Sequence, residues 1–182
     1  MIQKLTGLLK ALAYRVRSGG AIRMDGTPLF ERGARINLIK GQVSIGNQFS
    51  MKPNAYIAVA DGGTVSIGDH VAIARNSILV CHDRITIGDH CAIAPNVLIY
   101  DHDHKFGMDG ICPGYNTAPV VIERNCWIGA GVTILRGARI GEGSVIGAGC
   151  VVTGDIPPHS LVTSDRTLKI IPITDRGQQD RT

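Results

Sequence analysis

The sequence predicts an all-β solenoid, a parallel β-helix of about five triangular coils. Three observations carry this: a large aliphatic residue at every sixth position, a small or β-branched residue two places before it, and in many units a glycine just after it. The aliphatic register runs Ile45, Met51, Ile57; Ile67, Ile73, Leu79; Ile87, Ile93, Ile99; then Ile122, Ile128, Ile134, Ile140, Ile146 and Val152. The companions two residues earlier include Val43, Val65, Val71, Ile85, Cys91, Val97, Val120, Cys126, Val132, Ala138, Ser144 and Cys150. Gly46, Gly68, Gly88, Gly129, Gly141 and Gly147 follow the aliphatic residue.

The period has a physical reading. Side chains on a strand alternate, so a residue and the one two before it share a face. A turn must then follow within each six-residue unit, and glycine is expected there for its freedom of φ. Three units close a triangle, and stacked triangles pair their backbones in parallel. A helix would need a period near 3.6, and an ordinary strand an uninterrupted period of 2.

The register breaks are informative too. Ile57 to Ile67 is ten residues, Leu79 to Ile87 is eight, and Ile99 to Ile122 is twenty-three. The first two are small insertions at a coil corner. The last must leave the coil as a loop over residues 100–121. A long loop on a rigid scaffold is a usual place for function.

The ends are different in character. Ile2, Leu5, Leu8, Leu9, Leu12 and Val16 recur at helical spacing, and Ser18-Gly19-Gly20 ends that pattern. This predicts a helix capping the open end of the solenoid. A basic amphipathic helix making weak contact with a membrane surface is the other reading. Residues 1–42 are therefore assigned to helix and cap, with a short strand region over 21–42. Residues 43–156 are assigned to the β-helix, ended by Pro157-Pro158. Residues 157–182 form a C-terminal extension that folds back, with its last residues from 174 disordered.

Composition bounds the function. The chain of 182 residues suits one buried domain, and its 4% aromatic content leaves the core to aliphatic side chains. A net charge of +4 without a basic run gives nucleic acid no support. Five cysteines without a CxxC pair suggest reduced thiols in a cytoplasmic setting. No apolar run reaches the length of a membrane span.

The repeat over 43–156 resembles the hexapeptide-repeat family, whose fold is a left-handed parallel β-helix. More specific are Asn125-Cys126-Trp127-Ile128-Gly129, Val145-Ile146-Gly147-Ala148-Gly149 and Val152-Thr153-Gly154-Asp155-Ile156-Pro157-Pro158. These are similar to the branch holding galactoside, maltose and nodulation acetyltransferases and polysaccharide O-acetyltransferases. The resemblance implies direct acetyl transfer from acetyl-CoA, with a loop histidine as general base and no metal. A neutral imidazole suits that task because its pKa lies near the working pH. By position, His104 matches the family's catalytic histidine, and His102 is the nearby alternative. Asp101 and Asp103 flank them, either of them a possible orienter of the imidazole or an acceptor contact.

The resemblance further implies Trp127, Gly129, Ala130, Ala148 and Thr153 as acetyl-CoA contacts, and Asn76 as an acceptor contact. The repeat by itself already asks for small residues at 129 and 148. His82, in the two-residue insertion, is placed to line the acceptor site. Relatives usually follow the Pro-Pro pair with a Gly-x-Pro-Ala segment, which this chain lacks. Arg166 and Lys169 remain as candidate partners of the CoA phosphates. Family relatives are trimers with sites between subunits, so a homotrimer is expected. A sugar hydroxyl is the first acceptor expected, then an amine, including amino sugars, then an antibiotic.

The remaining side chains read as structure. His70 and His90 follow Ile-Gly-Asp in equivalent turns and should stack at a solvent corner. His159, beyond the Pro-Pro pair, should be exposed. Cys91, Cys126 and Cys150 should face the core, while Cys81 and Cys112 lie in irregular segments. Two other functions suit this fold. One is a zinc enzyme like the γ-class carbonic anhydrases, which use a histidine pair spaced by five; here the nearest pair is spaced by two. The other is a non-catalytic scaffold.

Overall fold

The computed structural model describes residues 2–164. The chain folds as a left-handed parallel β-helix whose three faces are parallel sheets of seven, seven and six strands. Six coils carry three strands each. They are β1 (Ile22–Met24), β2 (Leu29–Phe30), β3 (Arg35–Leu38); β4 (Gly41–Ile45), β5 (Ser50–Met51), β6 (Tyr56–Val59); β7 (Gly63–Ile67), β8 (Ala72–Ile73), β9 (Ile78–Cys81); and β10 (Arg84–Ile87), β11 (Ala92–Ile93), β12 (Leu98–Tyr100). After a hairpin, β13 (His102–Gly107) and β14 (Gly110–Thr117), the coils resume. These are β15 (Val120–Ile122), β16 (Trp127–Ile128), β17 (Thr133–Ile134) and β18 (Arg139–Ile140), β19 (Val145–Ile146), β20 (Val151–Val152). A partial seventh coil holds β21 (Asp155–Ile156) and β22 (Leu161–Val162).

Each aliphatic residue of the repeat sits on its counterpart one coil away. Ile45 pairs with Ile67, Ile67 with Ile87, and Ile87 with Ile122. Met51, Ile73, Ile93, Ile128 and Ile146 make the second column. Ile57, Leu79, Ile99, Ile134 and Val152 make the third. All are buried. Each fully buried side chain of this size is worth about 1.5–3 kcal/mol of transfer free energy. Where serine takes the inward position two residues earlier, its hydroxyl is satisfied. Ser77 Oγ donates to the Ala94 carbonyl at 2.9 Å and accepts from the Val97 N–H at 3.2 Å.

Two expectations change. The solenoid begins one coil earlier than the five predicted, because Met24, Phe30 and Ile36 continue the six-residue register. Pro157-Pro158 does not end it: Ile156 and Val162 still pair on Ile140 and Ile146. Both prolines lie in a corner outside β21 and β22, where the ladder needs no N–H from them.

The glycines after the aliphatic residues serve a purpose other than the one expected. None has a positive φ. A Cβ at Gly68 would stand 2.1 Å from Asp89 Oδ1, and one at Gly88 2.6 Å from the Arg124 nitrogen. They are required for close approach between coils. The left-handed conformation falls two residues later, at Gln48, His70, His90 and Asn125 on one corner and Asn54, Asn76 and Asn96 on another. His70 and His90 stack as expected, with rings 4.6 Å apart.

The N-terminal helix α1 (Ile2–Arg17) closes one end of the solenoid. Ala11 is buried there, Tyr14 packs on Phe30 at 5.5 Å, and Phe30 on Phe49 at 6.0 Å. The Ile36 N–H donates to the Tyr14 hydroxyl at 2.8 Å. The other flank of the helix leaves Leu9, Leu12 and Val16 exposed. Among the described residues, no helix is long and apolar enough to cross a membrane. The candidate residues Arg166 and Lys169, and the end from 174, lie outside the described residues.

Candidate active site

The three corners of the prism are unequal. The corner from the first sheet to the second, and that from the second to the third, keep four residues between strands through every coil. Every insertion falls at the corner from the third sheet back to the first. Ala60-Asp61-Gly62 lies there between β6 and β7, His82-Asp83 between β9 and β10, and the hairpin between β12 and β15. Stacking the coils therefore stacks Asp61, His82 and Asp101 on one edge.

The predicted loop is a two-stranded antiparallel hairpin, β13 on β14, with His104 opposite Tyr115 and the register slipping between His104 and Phe106. Its root is anchored. Asp101 is fully buried. One carboxylate accepts the His82 N–H at 2.9 and 3.1 Å, the Asp83 N–H at 2.8 Å, and the His102 Nδ1–H at 3.2 Å. The Ala118 N–H closes the loop by donating to the Asp101 carbonyl at 2.9 Å. A buried carboxylate is tolerable because each of these donors replaces lost water.

Imidazoles and phenols gather around it. The His82 and His102 rings lie 4.0 Å apart, and Tyr115 packs 4.4 Å from His82, 5.0 Å from His102 and 4.9 Å from His104. Tyr100 meets the edge of His102 at 5.9 Å. His82 Nδ1 lies 2.6 Å from Asp61 Oδ2. The His102 side chain is only 12% exposed, while His104 is open to solvent. Burial pulls the His102 pKa below the ordinary 6.5; the Asp101 hydrogen bond opposes that pull, and the charges of His82 and His104 add to it. With Nδ1–H committed to Asp101, Nε2 is the free basic nitrogen of His102. Asp103 points the other way, into an ion pair with Arg136 of the following coil.

His82, Asp101, His102 and His104 are thus brought together, with Asp103 beside them. Asn76 is not: it lies on another corner, in an amide ladder with Asn54 at 3.5 Å and Asn96 at 3.3 Å. Trp127 is 57% exposed on the second sheet. Gly129, Ala130 and Ala148 occupy the next corner in adjacent coils, and Thr153 follows β20. A Cβ at Gly129 would meet the Ile146 carbonyl at 2.6 Å, so packing between coils alone demands glycine there. Asp61 and Tyr115 were not among the sequence candidates. Asp61 belongs to a short turn without a motif, and only the unequal insertions bring it to His82.

The cysteines sit as their positions imply. Cys91, Cys126 and Cys150 are in the core and Cys112 is exposed on the hairpin. Cys81, read as irregular, is in fact the buried last residue of β9. Burial and the neighbouring Asp101 push its thiol pKa up. Among the described residues, no three His, Cys, Asp or Glu side chains converge in a way that could hold a metal ion.

Comparison with known proteins agrees with this architecture. Residues 119–154 match the bacterial transferase hexapeptide family model, six repeats. The chain is 34% identical over 136 residues to galactoside O-acetyltransferase of Escherichia coli, covering 75% of this chain and 57% of that protein. It is 48% identical over 105 residues to a Staphylococcus aureus protein that carries the name acetyltransferase, covering 57% of this chain and 53% of the relative. The chain thus spans about half the length of these relatives. A hexapeptide-repeat acetyltransferase of Vibrio cholerae, solved with acetyl coenzyme A, superposes with a TM-score of 0.56 at 31% identity, over 71% of this chain and 65% of that one. AntD, an N-acyltransferase of Bacillus cereus, shares the fold at a TM-score of 0.67 and 21% identity, over 82% of each chain. Residues 119–154 thus carry the hexapeptide repeats of bacterial transferases, and the six-residue period and stacked aliphatic columns make the rest of the solenoid similar to the same left-handed β-helix family.

Proposed function

We propose that the protein transfers an acetyl group from acetyl-CoA to a hydroxyl of a sugar or polysaccharide precursor, with His104 as general base. The observation that carries this reading is the hairpin at the irregular corner. It presents two histidines two residues apart on one strand, so both face one side, and it roots them on a buried carboxylate. His104 is the exposed member and can reach an acceptor; His102 is the enclosed one. His104 takes the proton of the acceptor hydroxyl while its oxygen attacks the thioester carbonyl. The carbon–sulfur bond then breaks and the CoA thiolate leaves, to be protonated. General-base catalysis of this kind contributes about 10²–10⁴-fold.

The co-substrate is proposed to lie along Trp127, Gly129, Ala130, Ala148 and Thr153, with Arg166 and Lys169 toward its phosphates. The chain's relatives support the choice of co-substrate: one is named galactoside O-acetyltransferase, and another was solved with acetyl coenzyme A. The acceptor is proposed to enter at the hairpin root beside His82 and His104; the predicted contacts Asp101, buried under the His82, Asp83 and His102 donors, and Asp103, paired with Arg136, hold the hairpin instead. A homotrimer is part of the same proposal, since Asn76 and the residues from Trp127 to Ala148 lie away from the hairpin corner of their own chain and would complete a site from a neighbour. An amine acceptor is the second reading, favoured by the fold shared with AntD, an N-acyltransferase.

The test is a screen of sugars and amino sugars for acetyl-CoA-dependent acetylation, detected by release of free CoA thiol and by product mass. Turnover on a sugar hydroxyl that is lost in His104→Ala supports the reading. Turnover on amines alone moves it to the second. Turnover retained in His104→Ala and lost in His102→Ala would shift the base to His102.

A further inference from the structure

Behind the exposed His104 stands a row of four side chains with no evident packing reason to be polar. Asp61 Oδ2 meets His82 Nδ1 at 2.6 Å, the His82 ring lies on His102 at 4.0 Å, and His102 Nδ1 meets Asp101 Oδ1 at 3.2 Å. Each end is a carboxylate and the middle is two imidazoles. The row crosses three structural layers: the turn after β6, the insertion after β9 and the first strand of the hairpin. His82 is bound to Asp101 a second time, through its own backbone N–H. The His82 and His102 side chains are 11% and 12% exposed. Apolar residues could fill such a space at lower desolvation cost. A polar row fixes geometry instead, because each hydrogen bond specifies the rotation of a ring.

We infer that His82, held by Asp61, is a positioning residue: it clamps the His102 ring against Asp101 and so fixes the hairpin strand that carries His104. The inference rests on the reading of His104 as the base. The groups facing the two imidazoles are Asp61 from the coil below, Asp101 at the hairpin root, and His104, Tyr100 and Tyr115 around them. Asp103 is turned away to Arg136. In this row each Nδ1 faces a carboxylate. A proton on one imidazole opposes a proton on the other across the 4.0 Å contact. The His82 imidazole therefore adds to the burial that holds the His102 pKa below its ordinary value.

The test uses Asp61→Asn and His82→Phe, the second keeping a flat ring while removing the bond to Asp61. Asp61 is 64% exposed, so its variant is the one least able to disturb folding. Three readouts are taken on the full chain: the histidine NMR titration of His102, amide exchange across residues 102–117, and steady-state acetyl transfer. The expected result is a rise in the His102 titration midpoint by about half a unit and faster exchange in the hairpin. Turnover should fall by about tenfold with the acetyl-CoA KM unchanged. Unchanged titration and exchange in both variants would overturn the positioning role. If titration and exchange move as expected while the wild-type protein acetylates no acceptor, the clamp stands and the acetyl-transfer reading fails.

Discussion

Two corners of this prism are regular and one is not. At the regular corners the same four-residue connection recurs, with close-packed glycines such as Gly68 and Gly88 and left-handed residues such as His70, Asn76 and Asn96. Their polar side chains are spent on one another: Asn76 joins Asn54 and Asn96, and Asp69 Oδ1 accepts the Asn47 N–H at 2.6 Å. At the irregular corner the turns have different lengths, so polar side chains meet others of a different kind. Asp61, His82, Asp101 and His102 make contacts there that no repeat would generate. The lesson is that a period builds the scaffold, and departures from the period build the site.

This contrast can be broken from either side. The largest effect is expected at the irregular corner. His104→Ala should lower the rate of acetyl transfer by about 10²–10⁴-fold while the melting temperature, read by circular dichroism, stays near that of wild type. A comparable loss from a substitution at the His70–His90 corner would erase the distinction. The second effect is purely structural. Ile128→Ala removes a fully buried side chain from the middle of a column and should cost about 2–5 kcal/mol by chemical denaturation. The folded fraction should retain its turnover. Gly88→Ala should destabilise similarly in sign, since its Cβ would strike backbone of the next coil rather than a flexible side chain.

A smaller effect tests the enclosure of His102. Its folded pKa lies below 6.5 because burial disfavours the charged ring. The unfolded chain therefore takes up a proton that the folded chain refuses, and stability falls as pH drops through 6.5 toward the folded value. Denaturation at several pH values should show this slope in wild type and a shallower one in His102→Gln. The smallest test concerns thiols. Under native conditions a thiol reagent should modify Cys112 quickly and Cys81, Cys91, Cys126 and Cys150 only on unfolding, as followed by mass.

The columns were legible in the sequence because isoleucine recurs without drift from Ile122 to Ile146. The first coil was harder to read because Met24 and Phe30 hold the positions where later coils have isoleucine, and no Ile-Gly pair marks them. The partial last coil was hidden by Pro157-Pro158, which suggests a stop only if those residues must pair. The loop and its two histidines were legible as a gap in the register. The partners of those histidines were not. Asp61 and His82 are twenty-one residues apart, and His82 and Asp101 nineteen. That near-coil spacing becomes a contact only once the corner insertions are known to stack. The glycines show the converse error: their positions were legible, but their reason was close packing between coils and not backbone freedom.

The most direct test of the central claim compares wild type and His104→Ala in acetyl-CoA binding and in transfer. Binding is read as the rise in melting temperature with added acetyl-CoA; a ligand at about 100 times its Kd stabilises the folded state by about 2.7 kcal/mol. The account predicts the same rise for both proteins, with acetyl transfer confined to wild type. No rise in a folded wild-type protein, or equal transfer by both, would contradict it.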